Sequence, residues 1–268
     1  MRTAGLTRFL LVGRITPMTE VLLPGRLAGT VLRVGLWIAV STTLWNALYG
    51  RTPTAAGVTA GQTVTYVVVA AMVTQLRAGA LTADTLVDHV HAGTVLYWFL
   101  RPMPPRRYYA ARAFGDAAYA LGWVACGYAV CLPLGVLMPP VSRAAACWAT
   151  ASLLLGQVIA HQIRSAVDLV CFWTVLNRQV TKLTEFVQTF LAGGFAPLWF
   201  FPDWFQAVSA KLPFQYVVSI PMSLYTGRLP TSAAPAALSV QLAWIAGMSA
   251  LTHWMWSRAA SRVTVQGG

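Results

Sequence analysis

Acidic residues are scarce in this chain: seven Asp and Glu stand against nineteen Lys and Arg, and only 10% of the 268 residues are charged. A composition that is 57% hydrophobic with eleven Trp is too apolar for one soluble domain and ordinary for a single membrane domain. Lysine is scarcer still. Lys182 and Lys211 are the only two, neither preceded by Gly, so the phosphate-cradling G-x-x-x-x-G-K-[ST] loop is missing and any ATP must be bound by another chain. There is no G-x-S-x-G elbow, H-E-x-x-H pair or pair of intramembrane aspartates, which argues against the common hydrolase and intramembrane protease patterns and against an enzyme. The four cysteines, Cys126, Cys131, Cys147 and Cys171, lack C-x-x-C spacing and read as small hydrophobes. Cys131 and Cys147 both fall toward one surface, and a disulfide between them stays open because spacing does not fix its geometry. No small-residue cleavage site follows a short apolar core near the N-terminus, so no removable signal peptide is expected.

Long apolar runs are abundant. Six of them, at about 32–49, 58–76, 113–137, 144–163, 183–201 and 233–256, each approach the ~20 residues that ~30 Å of hydrocarbon requires. The expectation is an all-α membrane protein with six transmembrane helices, 1–268 forming one membrane domain. Fifteen of the nineteen basic residues fall where alternate connections share one side. Arg51, Arg143, Lys211 and Arg228 are the four on the other. Basic residues in short loops stay cytoplasmic, so both termini are expected inside a plasma membrane, here a bacterial inner membrane. The net charge of +12 is dispersed over span ends without a nucleic-acid motif; membrane lipid, not nucleic acid, is its expected partner.

Residues 1–30 mix Arg with Leu, Phe and Val around Pro17 and Pro24, which fits an interfacial elbow helix. A connection from Arg77 to Arg112 joins the second and third spans on the inner side and is too long for a turn. Between the fifth and sixth spans, Pro197, Pro202, Pro213, Pro221 and Pro230 forbid one long helix and predict short helices at the outer interface. Trp199, Phe200, Phe201, Trp204 and Phe205 read there as an aromatic belt, with contact to an apolar cargo as the alternative.

Candidate functional residues lie in three places. On a helix, Asp84, Asp88 and His91 share one face; like charges at that spacing repel by about 0.2–0.5 kcal/mol, so a basic partner surface would relieve them. A solvated face or a divalent metal site are the alternatives. Arg101 before Pro102 ends the preceding apolar run and sits at a fixed corner, either as a clamp on a carboxylate or lipid phosphate or as an inner-side anchor. Arg106 and Arg107 read as headgroup contacts. In the second span Thr59, Thr63, Tyr66, Ala70, Thr74 and Arg77 form a stripe with Gln62 at its edge, matched on the first span by Thr42, Trp45, Asn46 and Tyr49. Those hydroxyls either line a translocation path or bond to neighbouring helices. Arg164 and Asp168, four apart, are expected to snorkel at the inner interface, whereas burial of the pair would mark function.

Two stretches, GTVLYWFLRP from Gly93 and the set CFWTV, GGFAPLWFFPDWF and LPFQYVVSIPMSLYTG, resemble the six-span permease subunits of ABC exporters of the ABC-2 type, in the compact subgroup with a cytoplasmic Leu-Arg-Pro motif. The resemblance implies a homo- or heterodimer of permeases joined to two cytosolic ABC ATPase subunits. ATP and Mg would then sit on those partners and no cofactor on this chain. It also implies export, here of a drug, peptide or lipid-like cargo by alternating access. Docking would fall to Asp84, Asp88, His91, Arg101 and Pro102, and the substrate path to the two polar stripes. Rival readings are a non-transporting assembly half of a heterodimer and a metal-dependent membrane enzyme acting on lipid.

Overall fold

The computed structural model describes residues 7–14, 24–50, 54–55, 57–80, 86–174 and 178–266. A helix over 7–14 (α1) precedes α2 (Pro24–Tyr49) and α3 (Ala60–Ala80), which are joined by a tight hairpin of β1 (Thr54–Ala55) and β2 (Val58–Thr59). Two short helices, α4 (Leu86–His91) and α5 (Leu96–Phe99), lead to the long α6 (Pro105–Cys131) and α7 (Arg143–Leu169). Then come α8 (Arg178–Leu191), the short α9 (Asp203–Ala210) and α10 (Ser219–Tyr225), and α11 (Ala234–Gln266). Among the described residues, three helical segments are long and apolar enough to cross a membrane: Ala28–Tyr49, Arg143–Phe172 and Thr231–Ser261; Ala60–Thr74 is a shorter apolar helix.

Local chemistry sets the boundaries. Thr59 and Gln62 form a capping box at the start of α3: the Thr59 amide and hydroxyl both donate to Gln62 Oε1, at 2.9 and 3.1 Å, and the Gln62 amide donates back to Thr59 Oγ1 at 3.3 Å. Pro105 at the first helical position starts α6 eight residues before the expected 113, because its fixed φ is already helical and its missing N–H is an orphan there anyway. Ser142 caps α7 by accepting the Ala145 amide at 3.0 Å.

The fifth apolar run is not one helix. Expected over 183–201, it ends as α8 at Leu191 because Gly193 adopts a left-handed φ of 77°. The Gly194 amide reaches the Thr189 carbonyl at 2.8 Å and that of Gly193 the Phe190 carbonyl at 3.1 Å, a Schellman motif that satisfies the terminal carbonyls. Gly135, at φ 72°, closes the turn after α6 in the same way, so that helix stops at Cys131 and not at 137.

α3 is the hub of the core. Thr63 through Val73 are buried on every face, against α2, α6 and α10. α7 carries the other half, packing on α11 and α10, and Gly156 admits the chain at Tyr216 and Val217 where a Cβ would strike their carbonyls. That point lies about 20 Å along α7, so the proline-rich segment, expected at the outer interface, dips into the bundle. Its irregular backbone is buried in protein, with the fully buried Gln241 donating to the Ser152 and Tyr216 carbonyls at 2.9 Å each. The aromatic cluster follows it inward: Trp199 and Phe205 are buried, and Trp204 alone of the five is strongly exposed. All four cysteines are free thiols, so Cys131 and Cys147 are not bridged.

Candidate functional site

Near the end where α6 begins and α7 and α11 finish, a second core forms from Leu86, Val87, Val95, Trp98, Leu169, Cys171, Trp256 and Ala259. Trp98 is its centre. The Trp98 indole meets the rings of His89, Tyr108 and Tyr109 at centroid distances of 4.9, 5.0 and 6.2 Å, and the Arg112 guanidinium lies over it at 5.9 Å. His89 Nδ1 and Thr94 Oγ1, 2.8 Å apart, fix the turn between α4 and α5. The α4–α5 connection is thus docked onto the long helices by aromatic packing. Its outward side is different: Leu96, Tyr97 and Leu100 are exposed, Leu100 by 74%, beside the exposed Arg101 and Pro102.

Beside this core lies a polar node. Arg164 donates from Nε to both carboxylate oxygens of Asp168 at 2.8 and 2.9 Å and from a terminal nitrogen to Glu185 on α8. The Tyr109 hydroxyl donates to Asp168 Oδ2 at 2.6 Å. Arg164 is 8% and Asp168 1% exposed, so the pair does not snorkel as expected: α4, α6 and α8 close over it and remove the interface it would reach. Asp88 on α4 is near enough to act on Asp168 electrostatically. Four elements therefore meet at one buried ion pair, and loss of the cation would strand the Asp168 carboxylate.

The other sequence candidates are distributed unevenly. Asp84 lies outside the described residues, as does the side chain of His91. Asp88 sits at the start of α4, half-buried. Arg101 lies over the Tyr108 ring at 4.2 Å, a cation–π contact that holds the guanidinium beside the start of α6. Among the described residues no three His, Cys, Asp or Glu side chains gather as metal ligands. Thr63, Tyr66 and Ala70 of the α3 stripe are buried inside this chain, Thr59 is exposed, and the side chain of Arg77 lies outside the described residues. Thr63 is fully buried and its hydroxyl meets that of Tyr49 at 2.8 Å; Gln62 donates to the Thr226 carbonyl at 3.1 Å; Thr74 bonds back to Ala70 at 2.9 Å. Tyr66, also fully buried, packs edge-on to Trp199 at 4.9 Å, and its hydroxyl makes no well-formed hydrogen bond although the Ser219 side chain is beside it. On α2, Trp45 packs on Phe200 at 5.1 Å and Thr42 bonds to its own helix at Ile38, while Asn46 is exposed.

Sequence reasoning missed Trp98, Tyr109 and Glu185. The basic-acidic pair four apart on α7 was visible, but the third and fourth partners come from other helices and left no local signal.

The family profile described as ABC-2 family transporter protein matches residues 36–267. No curated protein and no solved structure matches the chain.

Proposed function

Since the chain belongs to the ABC-2 transporter family, we propose that it is the transmembrane permease subunit of an ATP-driven exporter in a bacterial plasma membrane, with six crossings and both termini inside. The three long apolar helices, α3 sheathed by its neighbours and the 27-residue α6 supply five crossings. α8, with 14 residues or about 21 Å, is short of the ~30 Å required and completes the sixth together with the buried segment after Gly193.

The observation that carries the reading is the α4–α5 connection. It is anchored on one side by Trp98 and presents Leu96, Tyr97, Leu100, Arg101 and Pro102 on the other. An exposed apolar patch rimmed by charge suits a partner protein, and a cytosolic ATPase subunit carrying ATP and Mg is the partner this family calls for. Motion of that partner would reach α6, α7 and α8 through the Arg164 node, shifting the spans between inward- and outward-open arrangements. A second permease, identical or not, covers the apolar stripe of α2 formed by Leu32, Leu36, Val40, Leu44 and Leu48, all exposed. The cargo path between the two copies then takes Thr42 and Asn46 from α2, while Tyr49, Thr63 and Tyr66 hold the subunit together. Cargo is amphipathic or hydrophobic.

The test is nucleotide dependence: the chain purified alone should neither bind nor hydrolyse ATP, and both activities should appear when it is isolated with its ATPase. Hydrolysis by the isolated chain would refute the assignment.

A further inference from the structure

At the same end as the α4–α5 connection, α1, α5, the start of α6 and α11 line an open-sided cavity of about 500 Å³. Its walls are largely apolar, with Phe9, Phe99 and Trp256 among them, and Arg106, Arg107, His253 and Ser257 supply its polar lining. Arg106 donates to Nδ1 of His253 at 2.8 Å, which orients that guanidinium and requires the ring to carry its proton on Nε2. Both guanidiniums are exposed, and among the described residues neither is paired with a carboxylate. Two adjacent cations beside an apolar cavity are complementary to an anion that carries a hydrocarbon tail. A lipid of zero net charge would bring its own cation beside the two guanidiniums, and a bare anion would leave the apolar volume empty.

The geometry points to a resident acidic phospholipid, its phosphate held by Arg106 and Arg107 and one acyl chain occupying the cavity beside Phe9, Phe99 and Trp256. The inference rests on the proposed orientation only in assigning the lipid to the inner leaflet. The lipid would bridge α1 to α11, two elements at opposite ends of the chain. α1 otherwise holds to α6 through the Phe9–Phe114 rings, 5.9 Å apart, and through the contact of Gly13 with Gly115, where a Cβ would strike the Gly13 carbonyl.

The full chain, purified in detergent and stripped of lipid, is incubated with phosphatidylglycerol or phosphatidylcholine, and retained lipid is counted by native mass spectrometry. A single phosphatidylglycerol should be retained, phosphatidylcholine should not, and glycerol 3-phosphate should not displace the bound lipid. Arg106→Gln with Arg107→Gln should weaken retention by about 5-fold per guanidinium, roughly 25-fold together. Ala260→Trp, which intrudes on the space for the acyl chain and keeps both arginines, should also lower retention and decides the matter alone if the double variant fails to fold. Undiminished binding by Ala260→Trp, or equal retention of phosphatidylcholine, overturns the proposal. Displacement by glycerol 3-phosphate would also overturn it, in favour of a soluble phosphate ligand. The measurement needs neither ATPase nor cargo, so its failure leaves the permease reading standing, and the reverse.

Discussion

Tyr109 on α6 donates its hydroxyl to Oδ2 of Asp168 on α7 at 2.6 Å, on the carboxylate that Arg164 already holds from the same helix. Three groups are therefore locked in one orientation with little water to replace any of them. Removing the cation should be far worse than removing the hydroxyl. Arg164→Ala leaves Asp168 buried and unpaired and should cost about 3–5 kcal/mol, whereas Tyr109→Phe deletes one hydrogen bond to a charged group and should cost about 1.5–3 kcal/mol. Thermal unfolding of the detergent-solubilised chain checks the order. If Arg164→Ala unfolds no earlier than Tyr109→Phe, the node is not a buried network.

Gly193 is the second point of leverage. At φ 77° a side chain is strained whatever the space, and here a Cβ would also meet the Tyr66 hydroxyl. Gly193→Ala should therefore destabilise by more than the ~1 kcal/mol typical of an unfavourable backbone alone. Gly122, with nothing near its Cβ position inside α6, should gain up to about 1 kcal/mol on replacement by Ala. Equal effects at the two sites in thermal melts would mean that the chain does not turn at 193.

The polar stripe of α3 gives a prediction that separates packing from transport. Thr63→Val removes the partner of the Tyr49 hydroxyl inside the subunit and should lower stability by about 1 kcal/mol. Asn46→Ala, on an exposed face, should leave stability within about 0.5 kcal/mol and alter cargo range in transport assays. A stability loss confined to Asn46 would reverse the assignment of the two faces.

These cases show where sequence sufficed. The long apolar runs are a one-dimensional property, and α2, α3, α7 and α11 each contain most of one, although α2 begins eight residues before its run and α11 ends ten after. Helix ends required finer signals. Thr59 with Gln62 and Gly193 with Gly194 were present as cap signatures, but a run of apolar residues from Leu183 to Phe201 outweighed the paired glycines in any count of hydropathy. The stripe on α3 was legible as a face, and only the position of Tyr49 and Trp199 against it showed that the face points inward. Arg164 and Asp168 were legible as a pair, yet their burial depends on α4, α6 and α8 closing over them, which no spacing encodes.

Orientation is checked by accessibility. With the four native cysteines replaced by Ala, a single cysteine in place of Arg143 or Arg228 should react with an impermeant thiol reagent in intact cells, and one in place of Arg101 or Arg107 should not. The inverse pattern would invert the bundle and place the α4–α5 surface outside, beyond reach of any cytosolic partner.

The central claim is that an ATPase docks on the exposed side of α4–α5, and the most direct measurement is ATP turnover by the complex recovered on the tagged chain. Tyr97→Asp with Leu100→Asp places charge on an exposed apolar patch without touching Trp98 or the Arg164 node. The account predicts that the double variant is recovered in normal amount with an unchanged melting temperature, but with the ATPase subunit and its ATP hydrolysis lost. Full recovery of both with the variant would contradict it.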